Sequence, residues 1–289
     1  MGFSLFDLED EKVENKKVRV VGNSIQVLDE EIRSQIDKKK LSASLVSSIL
    51  NSPGDWVMST YIEPLCIDGY VDALERGTWF HSIMEEFFKL EPENRNFKNL
   101  ASTALTVTKE KYPHMMERQD NKDWLNKAIQ GYKSTWLDGA KDEKIANLYL
   151  MGKSQLGLEL FVNGTIGNAK RQCLGFIDKI IEGKYGLIVQ DWKTGAKIHD
   201  FNPNKEPSES NSFDYWRQQT FYTMLLEQLG MKVESACLVF PCSEPPQIVN
   251  VDCHREDVRN RVISDFEKAD KILEECILND YTFPFKAGK

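Results

Sequence analysis

Leu174-Gly-Phe-Ile-Asp-Lys-Ile-Ile-Glu-Gly-Lys-Tyr-Gly-Leu-Ile-Val-Gln-Asp-Trp-Lys-Thr-Gly195 holds two apolar, β-branched runs on either side of Glu182-Gly-Lys-Tyr-Gly186. That pattern predicts a β-hairpin with a tight turn. Each run carries an aspartate where core would otherwise stand: Asp178 among Phe176, Ile177, Ile180 and Ile181, and Asp191 after Leu187-Ile-Val189. Side chains alternate along a strand, so Asp191 and Lys193 share one face and Gln190 and Trp192 the other. With Lys184-Tyr185 as the loop, Gly183 stands opposite Gly186, and counting outward sets Asp178 opposite Asp191. Two carboxylates and an ammonium then share a small patch, and a one-residue slip would destroy it.

Two carboxylates that close repel each other, and burial raises the cost, so a proton or a cation must neutralise them. Mg²⁺ or Mn²⁺ suits the oxygen donors and keeps open positions for water and phosphate. A lysine beside such an ion can steady an attacking water or the charge that develops on phosphorus. The alternative is a surface hairpin whose charges are merely solvated.

Gly175-Phe-Ile-Asp178, followed by the strand ending in Asp191-Trp-Lys-Thr-Gly195, resembles the core signature of the PD-(D/E)XK nucleases, and within them the RecB-like exonuclease branch. Three further stretches are similar to that branch in the same order: Arg76-Gly-Thr-Trp-Phe-His81-Ser-Ile-Met-Glu85, Glu159 one strand earlier, and Gln218-Gln-Thr-Phe-Tyr222. The resemblance implies an α/β, restriction-endonuclease-like core, with a mixed central sheet flanked by helices and a helical region before it. It implies a metal-dependent DNA exonuclease that hydrolyses phosphodiesters at DNA ends in recombination, repair or replication. His81, Asp178, Asp191 and the backbone carbonyl of Trp192 would hold one or two Mg²⁺ or Mn²⁺ ions. Lys193 would orient or activate water, Glu159 would assist through a second ion or a bound water, and Gln218 and Tyr222 would contact DNA or support the site. DNA is the implied partner, with a recombinase, annealing protein or helicase beside it. The rivals are a structure-specific or restriction-like endonuclease on the same core and a non-catalytic DNA-binding recombination protein.

The 289 residues are ample for a buried core. They divide into an N-terminal segment 1–40, a helical region 41–150 carrying His81, and a nuclease core 151–289, with 41–289 expected to form one structural unit. No run of about eighteen apolar residues is present, so no membrane span is expected. The acidic start Met1-Gly-Phe-Ser-Leu-Phe-Asp-Leu-Glu-Asp10 lacks a signal-peptide pattern, which places the chain in the cytoplasm as an expectation. Six cysteines, at 66, 173, 237, 242, 253 and 276, include no C-x-x-C pair. Reduced thiols are expected, and no iron-sulfur cluster of the kind some RecB-like relatives hold. The net charge of −8 runs against phosphate binding, so any DNA groove must be locally basic. Lys16-Lys-Val-Arg19, Lys38-Lys-Lys40, and Lys193 with Lys197 are candidates, each equally readable as a solvated face.

In chain order, Val18-Arg-Val-Val21 and Ile25-Gln-Val-Leu28 read as a small hairpin or an ordered tail. Ser42-Ala-Ser44 opens a short helix over 45–50 with serine at its N-cap, and Asn51-Ser-Pro-Gly54 stops it. Helical spacing over 72–90 sets His81 and Glu85 on one face. A lone histidine there is more often a satisfied boundary group than a ligand; as a ligand it leaves its second nitrogen for an acceptor, for which Glu85 is the candidate. Residues 97–144 read as helix broken at Tyr112-Pro-His114, 156–166 as the first strand of the catalytic sheet, and 196–214 as a loop beside the site. Phe213 to Leu229 follows as helix, 233–240 and 246–251 as strands, and 255–278 as a closing helix. No Gly-rich phosphate loop and no Ser-His-Asp grouping appears.

Overall fold

The computed structural model describes residues 17–62, 70–195 and 213–286. The expected loop 196–214 falls almost wholly outside the described residues, as do Lys16, Lys197 and Cys66. The chain divides into two compact units. One comprises 1–39, 48–65 and 271–289; the other comprises 40–47 and 66–270.

In the first unit, β1 (Val18–Val21) and β2 (Ser24–Val27) form a hairpin. The C-terminal strand β10 (Thr282–Pro284) adds antiparallel to β2, closing a three-stranded sheet. The sequence reading contained the hairpin but not β10, because three residues ending in proline carry almost no strand signal. Asp29 caps α1 (Glu30–Asp37) by accepting from the Ile32 amide at 3.0 Å. Asn51-Ser-Pro-Gly54 does end α2 (Ala43–Asn51), and it also starts α3 (Pro53–Val57). Ser52 is the cap and Pro53 takes the first helical position, where its missing N–H costs nothing.

The second unit is built on a mixed five-stranded sheet in the order β5 (Leu158–Gly164), β6 (Cys173–Glu182), β7 (Leu187–Trp192), β8 (Val233–Phe240), β9 (Gln247–Val251). Only the β7–β8 pair is parallel, and α8 (Phe213–Gln228) lies between those two strands in the chain. The β6–β7 hairpin pairs Lys179 with Gln190 and Glu182 with Leu187, which is the register expected from the sequence. Upstream of β5 stands a separate hairpin, β3 (Asn147–Leu150) and β4 (Lys153–Leu156), turning at Met151 and Gly152, both at positive φ. The expected single strand from 156 therefore begins at Leu158. β3 does alternate, with Leu148 and Leu150 buried and Asn147 and Tyr149 in solvent, but four residues are too short a run to announce a strand, and its partner β4 is mostly exposed.

Helices cover both faces of this sheet. On one, α8 sets Tyr215 edge-on to Phe240 of β8 and stacks Phe221 on Phe266 of α9 (Glu256–Leu278), ring centroids 4.7 Å apart. On the other, α4 (Tyr70–Phe88), α5 (Phe97–Lys111), α6 (Gln119–Thr135) and the short α7 (Leu137–Ala140) bury an aromatic core. Trp79, Phe80, Phe87, Phe88 and Tyr132 are fully buried there, and Trp192 of β7 packs among them. Aromatic side chains bury large areas each, so this cluster fixes α4 against the sheet and with it the height of His81.

Candidate metal centre

Strict alternation would put Gly175 and Lys179 on the same face of β6. They are on opposite faces. A Cβ on Gly175 would lie 2.4 Å from Cε1 of Tyr222 in α8, while the ammonium of Lys179 sits 3.8 Å from the ring of Phe88 in α4. The edge of the sheet turns over between them, at Asp178 and at its neighbour across the ladder, Glu159. The pairs Leu158–Lys179 and Leu160–Ile177 flank Glu159, whose φ is +46°. A left-handed backbone at a residue with a side chain costs about 1–3 kcal/mol, and such residues cluster at functional sites.

At this turn-over the candidate side chains converge. One donor atom each from His81, Glu159 and Asp178 lies within 4.8 Å of the other two. His81 Nδ1 is 3.4 Å from Asp178 Oδ1 and 3.9 Å from Glu159 Oε1. The other ring nitrogen, Nε2, donates to the carbonyl of Trp192 at 3.0 Å. A carbonyl only accepts, so Nε2 carries the proton and a neutral His81 turns its Nδ1 lone pair toward the carboxylates. The expected acceptor, Glu85, is instead 2.7 Å from Lys89, one helical turn along α4. The Trp192 carbonyl, read from the resemblance as an ion ligand, here orients the imidazole.

Trp192 also donates its backbone N–H to Asp178 Oδ2 at 2.7 Å, leaving Oδ1 toward His81. One residue thus holds both the imidazole and a carboxylate through its main chain. Its indole is locked between Phe80, Phe88 and Tyr132, with the buried Lys179 above it and Glu143 paired to that lysine at 2.6 Å. Lys179 and Glu143 had no place in the sequence reading. A lysine inside Ile177-Asp-Lys-Ile-Ile181 was the available signal; Glu143 carried none.

Asp191 is on the α8 side, buried, with Lys193 Nζ 2.5 Å from its Oδ2. The two form a buried ion pair. Lys193 also donates to Gln218 Oε1 at 2.8 Å, and Gln218 Nε2 donates to the hydroxyl of Tyr222 at 3.0 Å. Tyr215, which the sequence did not single out, lies under the same ammonium at 5.2 Å. The Gln-x-x-x-Tyr pair therefore forms a relay that holds the lysine from behind.

The charges are out of balance. Burial lowers the pKa of His81, but the charges of Asp178, Asp191 and Glu159 outweigh it and hold the imidazolium up to about 9. Burial, with the charge of Asp178, pushes Glu159 up to about 7. Burial and Asp178 push Asp191 up to about 6 against the pull of Lys193. Lys193 itself is raised: burial opposes its charge, but Asp191 and Asp178 prevail. Acids that resist ionising within a cluster of oxygen donors are short of positive charge, which is what a divalent ion supplies. The donor set, two carboxylates and an imidazole with a third carboxylate adjacent, fits Mg²⁺ or Mn²⁺.

Comparison with known proteins agrees with this architecture. A search among curated proteins returns no match. Among solved structures, a protein of Eubacterium rectale named "Putative exonuclease" superposes with a TM-score of 0.55 at 13% identity, covering 89% of this chain and 87% of that one. At that identity the likeness speaks for the fold alone. The structure of SSO0001 reaches a TM-score of 0.28 at 15% identity over 40% of this chain and 49% of that one, too low to bear on either. Residues 40–287 match the model that describes the PD-(D/E)XK nuclease superfamily. That match spans most of the chain and takes in the whole five-stranded sheet with His81, Glu159, Asp178, Asp191 and Lys193, so the chain belongs to this superfamily of metal-dependent nucleases.

Proposed function

We propose that the chain is a Mg²⁺- or Mn²⁺-dependent deoxyribonuclease of the RecB-like branch, hydrolysing phosphodiesters at DNA ends. The observation that carries this reading is the donor set of His81, Glu159 and Asp178 within 4.8 Å, beside the Asp191–Lys193 pair. His81, Asp178 and Asp191 would hold the ion, with Glu159 at a second ion or a water. A divalent cation there supplies a Lewis acid for a phosphoryl oxygen.

The chain's own groups do the rest. Trp192 keeps His81 in the Nε2–H tautomer and keeps Asp178 in one rotamer through its carbonyl and amide. Lys193, steadied by Asp191 and Gln218, presents an ammonium to the attacking water or to the charge gathering on phosphorus. The Lys193 ammonium can only donate, so it holds the Gln218 amide with its oxygen toward the lysine, and the amide nitrogen then donates to the Tyr222 hydroxyl. In this reading Gln218 and Tyr222 support the site.

Action at ends is favoured by the His81 and Gln218-x-x-x-Tyr222 stretches, which resemble those of the exonuclease branch. Such an enzyme works in recombination, repair or replication, where a recombinase, annealing protein or helicase would use its product. End-labelled linear duplex and a covalently closed circle, each with Mg²⁺, Mn²⁺ or chelator, test the reading together. Loss of the linear form with either ion, with the circle intact and chelator blocking, is expected; nicking of the circle at a similar rate would make the chain an endonuclease. Cleavage of neither form, and of no single strand either, would leave a DNA-binding protein.

A further inference from the structure

Two aromatic rings beside the candidate metal centre have no part in the mechanism above. Phe161 and Phe176 are cross-strand partners in β5 and β6, their ring centroids 5.3 Å apart and their planes at 54°. Phe176 is 52% exposed and is the only exposed phenylalanine among the described residues. Gly175, its neighbour, packs against Tyr222 and Phe221 of α8. Phe176 therefore turns to the other face, the one on which α4 carries His81. Phe161 and Phe176 stand two residues from Glu159 and Asp178 respectively, about 6.6 Å along each strand. The next pair outward on that face, Asn163 with Leu174, carries no charge.

We infer that Phe161 and Phe176 form a stacking platform for an unpaired nucleobase of the strand being cut, so that the DNA is single-stranded where it meets the site. The inference rests on the nuclease reading and adds the substrate's form. A nucleotide whose phosphate lies at His81, Glu159 and Asp178 carries its base only a few ångströms away, which is the separation of the two features. An aromatic ring in solvent offers a face to any base, since every base has a π-face. Inside a duplex both faces of a base are already covered by its neighbours, so only a single strand or a frayed end can use the platform. With uncharged Asn163 and Leu174 beyond it, the platform reads stacking rather than base edges, and selection by sequence is weak.

The test is equilibrium binding in chelator, where no strand is cut, of a short single-stranded oligodeoxynucleotide carrying 2-aminopurine at one end or the other. The wild-type chain quenches the probe at one end. Phe176→Ala weakens binding about tenfold or more and abolishes the quench, Phe176→Leu does the same although it keeps an apolar side chain, and Phe176→Trp restores both. The same label inside a blunt duplex shows no quench and no sensitivity to these variants. Thermal melting shows the variants folded, as expected for so exposed a position.

Unchanged affinity in Phe176→Ala, or binding rescued by leucine as well as by tryptophan, overturns the platform. So does a wild-type dimer in sedimentation that Phe176→Ala converts to monomer, since the rings would then cover a second copy of the chain. The nuclease reading fails separately, when the wild type with Mg²⁺ or Mn²⁺ cuts neither single-stranded nor duplex DNA.

Discussion

His81, Glu159 and Asp191 all have pKa values raised in the folded chain, and this sets a sign that can be measured. A raised group binds more protons folded than unfolded, so its stabilising share is complete below the unfolded pKa and is lost as pH rises through the folded one. For Glu159 and Asp191 the loss runs from about 4 to 7, and for His81 from about 6.5 to 9. Acids held low by salt bridges on the surface, such as Asp120 and Asp257, act below that window. The melting temperature of the ion-free protein is therefore expected to fall between pH 5 and 9, and a flat or rising profile by scanning calorimetry would count against the assignment. Ion binding has the opposite sign, because an imidazolium must give up its Nδ1 proton to become a ligand. Mn²⁺ affinity should rise with pH, with between one and two protons released near pH 7, one from His81 and part of another from Glu159, when calorimetry is repeated in buffers of different ionisation enthalpy. Lys193→Met should lower kcat about 10²–10⁴-fold while Mn²⁺ still binds, the range typical of a positioned group acting in the transition state. Equal loss of ion binding would make Lys193 part of the cradle's architecture only.

At the scale of strands and helices, the turn-over of β5–β6 and the aromatic layer behind Trp192 bring the site together. Gly175→Ala forces a methyl group onto Tyr222 and is expected to cost about 1–3 kcal/mol in urea denaturation, disturbing the Gln218–Tyr222 relay as well. Lys179→Met keeps the packing on Phe88 and Trp192 and leaves Glu143 unpaired but partly in water, so its cost should be small. Glu143→Gln leaves a buried ammonium unpaired and should cost more than the lysine change. The reverse order would show that Lys179 is held by something other than Glu143. The hairpin register, Asp191 and Lys193 on one face with Trp192 on the other, and the helices of His81 and Gln218 were all legible in the sequence, because periodicity and a short turn encode them locally. The turn-over at Glu159 and Asp178 was not, since alternation is the very rule it breaks, and neither local composition nor spacing marks it. The role of Trp192 was hidden for a related reason: a main-chain N–H and C=O look alike at every residue. Lys179 with Glu143 is a contact between positions 36 residues apart, beyond what a local pattern can reach.

Across the whole molecule, a net charge of −8 has to coexist with a polyanionic substrate. The divalent ion supplies part of the missing positive charge, so DNA affinity should depend on it as well as on salt. Ion binding should also stabilise the folded chain by RT ln(1 + [L]/Kd), about 2.7 kcal/mol at a hundredfold excess over Kd, visible as a rise in melting temperature. Among the described residues no helix is long and apolar enough to cross a membrane. All the groups argued to hold the ion or to act beside it belong to one of the two compact units, so the site does not require the other for its donors.

Electron paramagnetic resonance of Mn²⁺ titrated into the protein bears on the cradle without relying on activity. Asp178→Asn keeps the acceptor for the Trp192 amide but removes a charge from the donor set, so the fold should survive while bound Mn²⁺ is lost or weakened at least tenfold, and His81→Ala should do likewise. Mn²⁺ held as tightly by both variants as by the wild type would contradict the assignment of His81 and Asp178 as ligands of the ion.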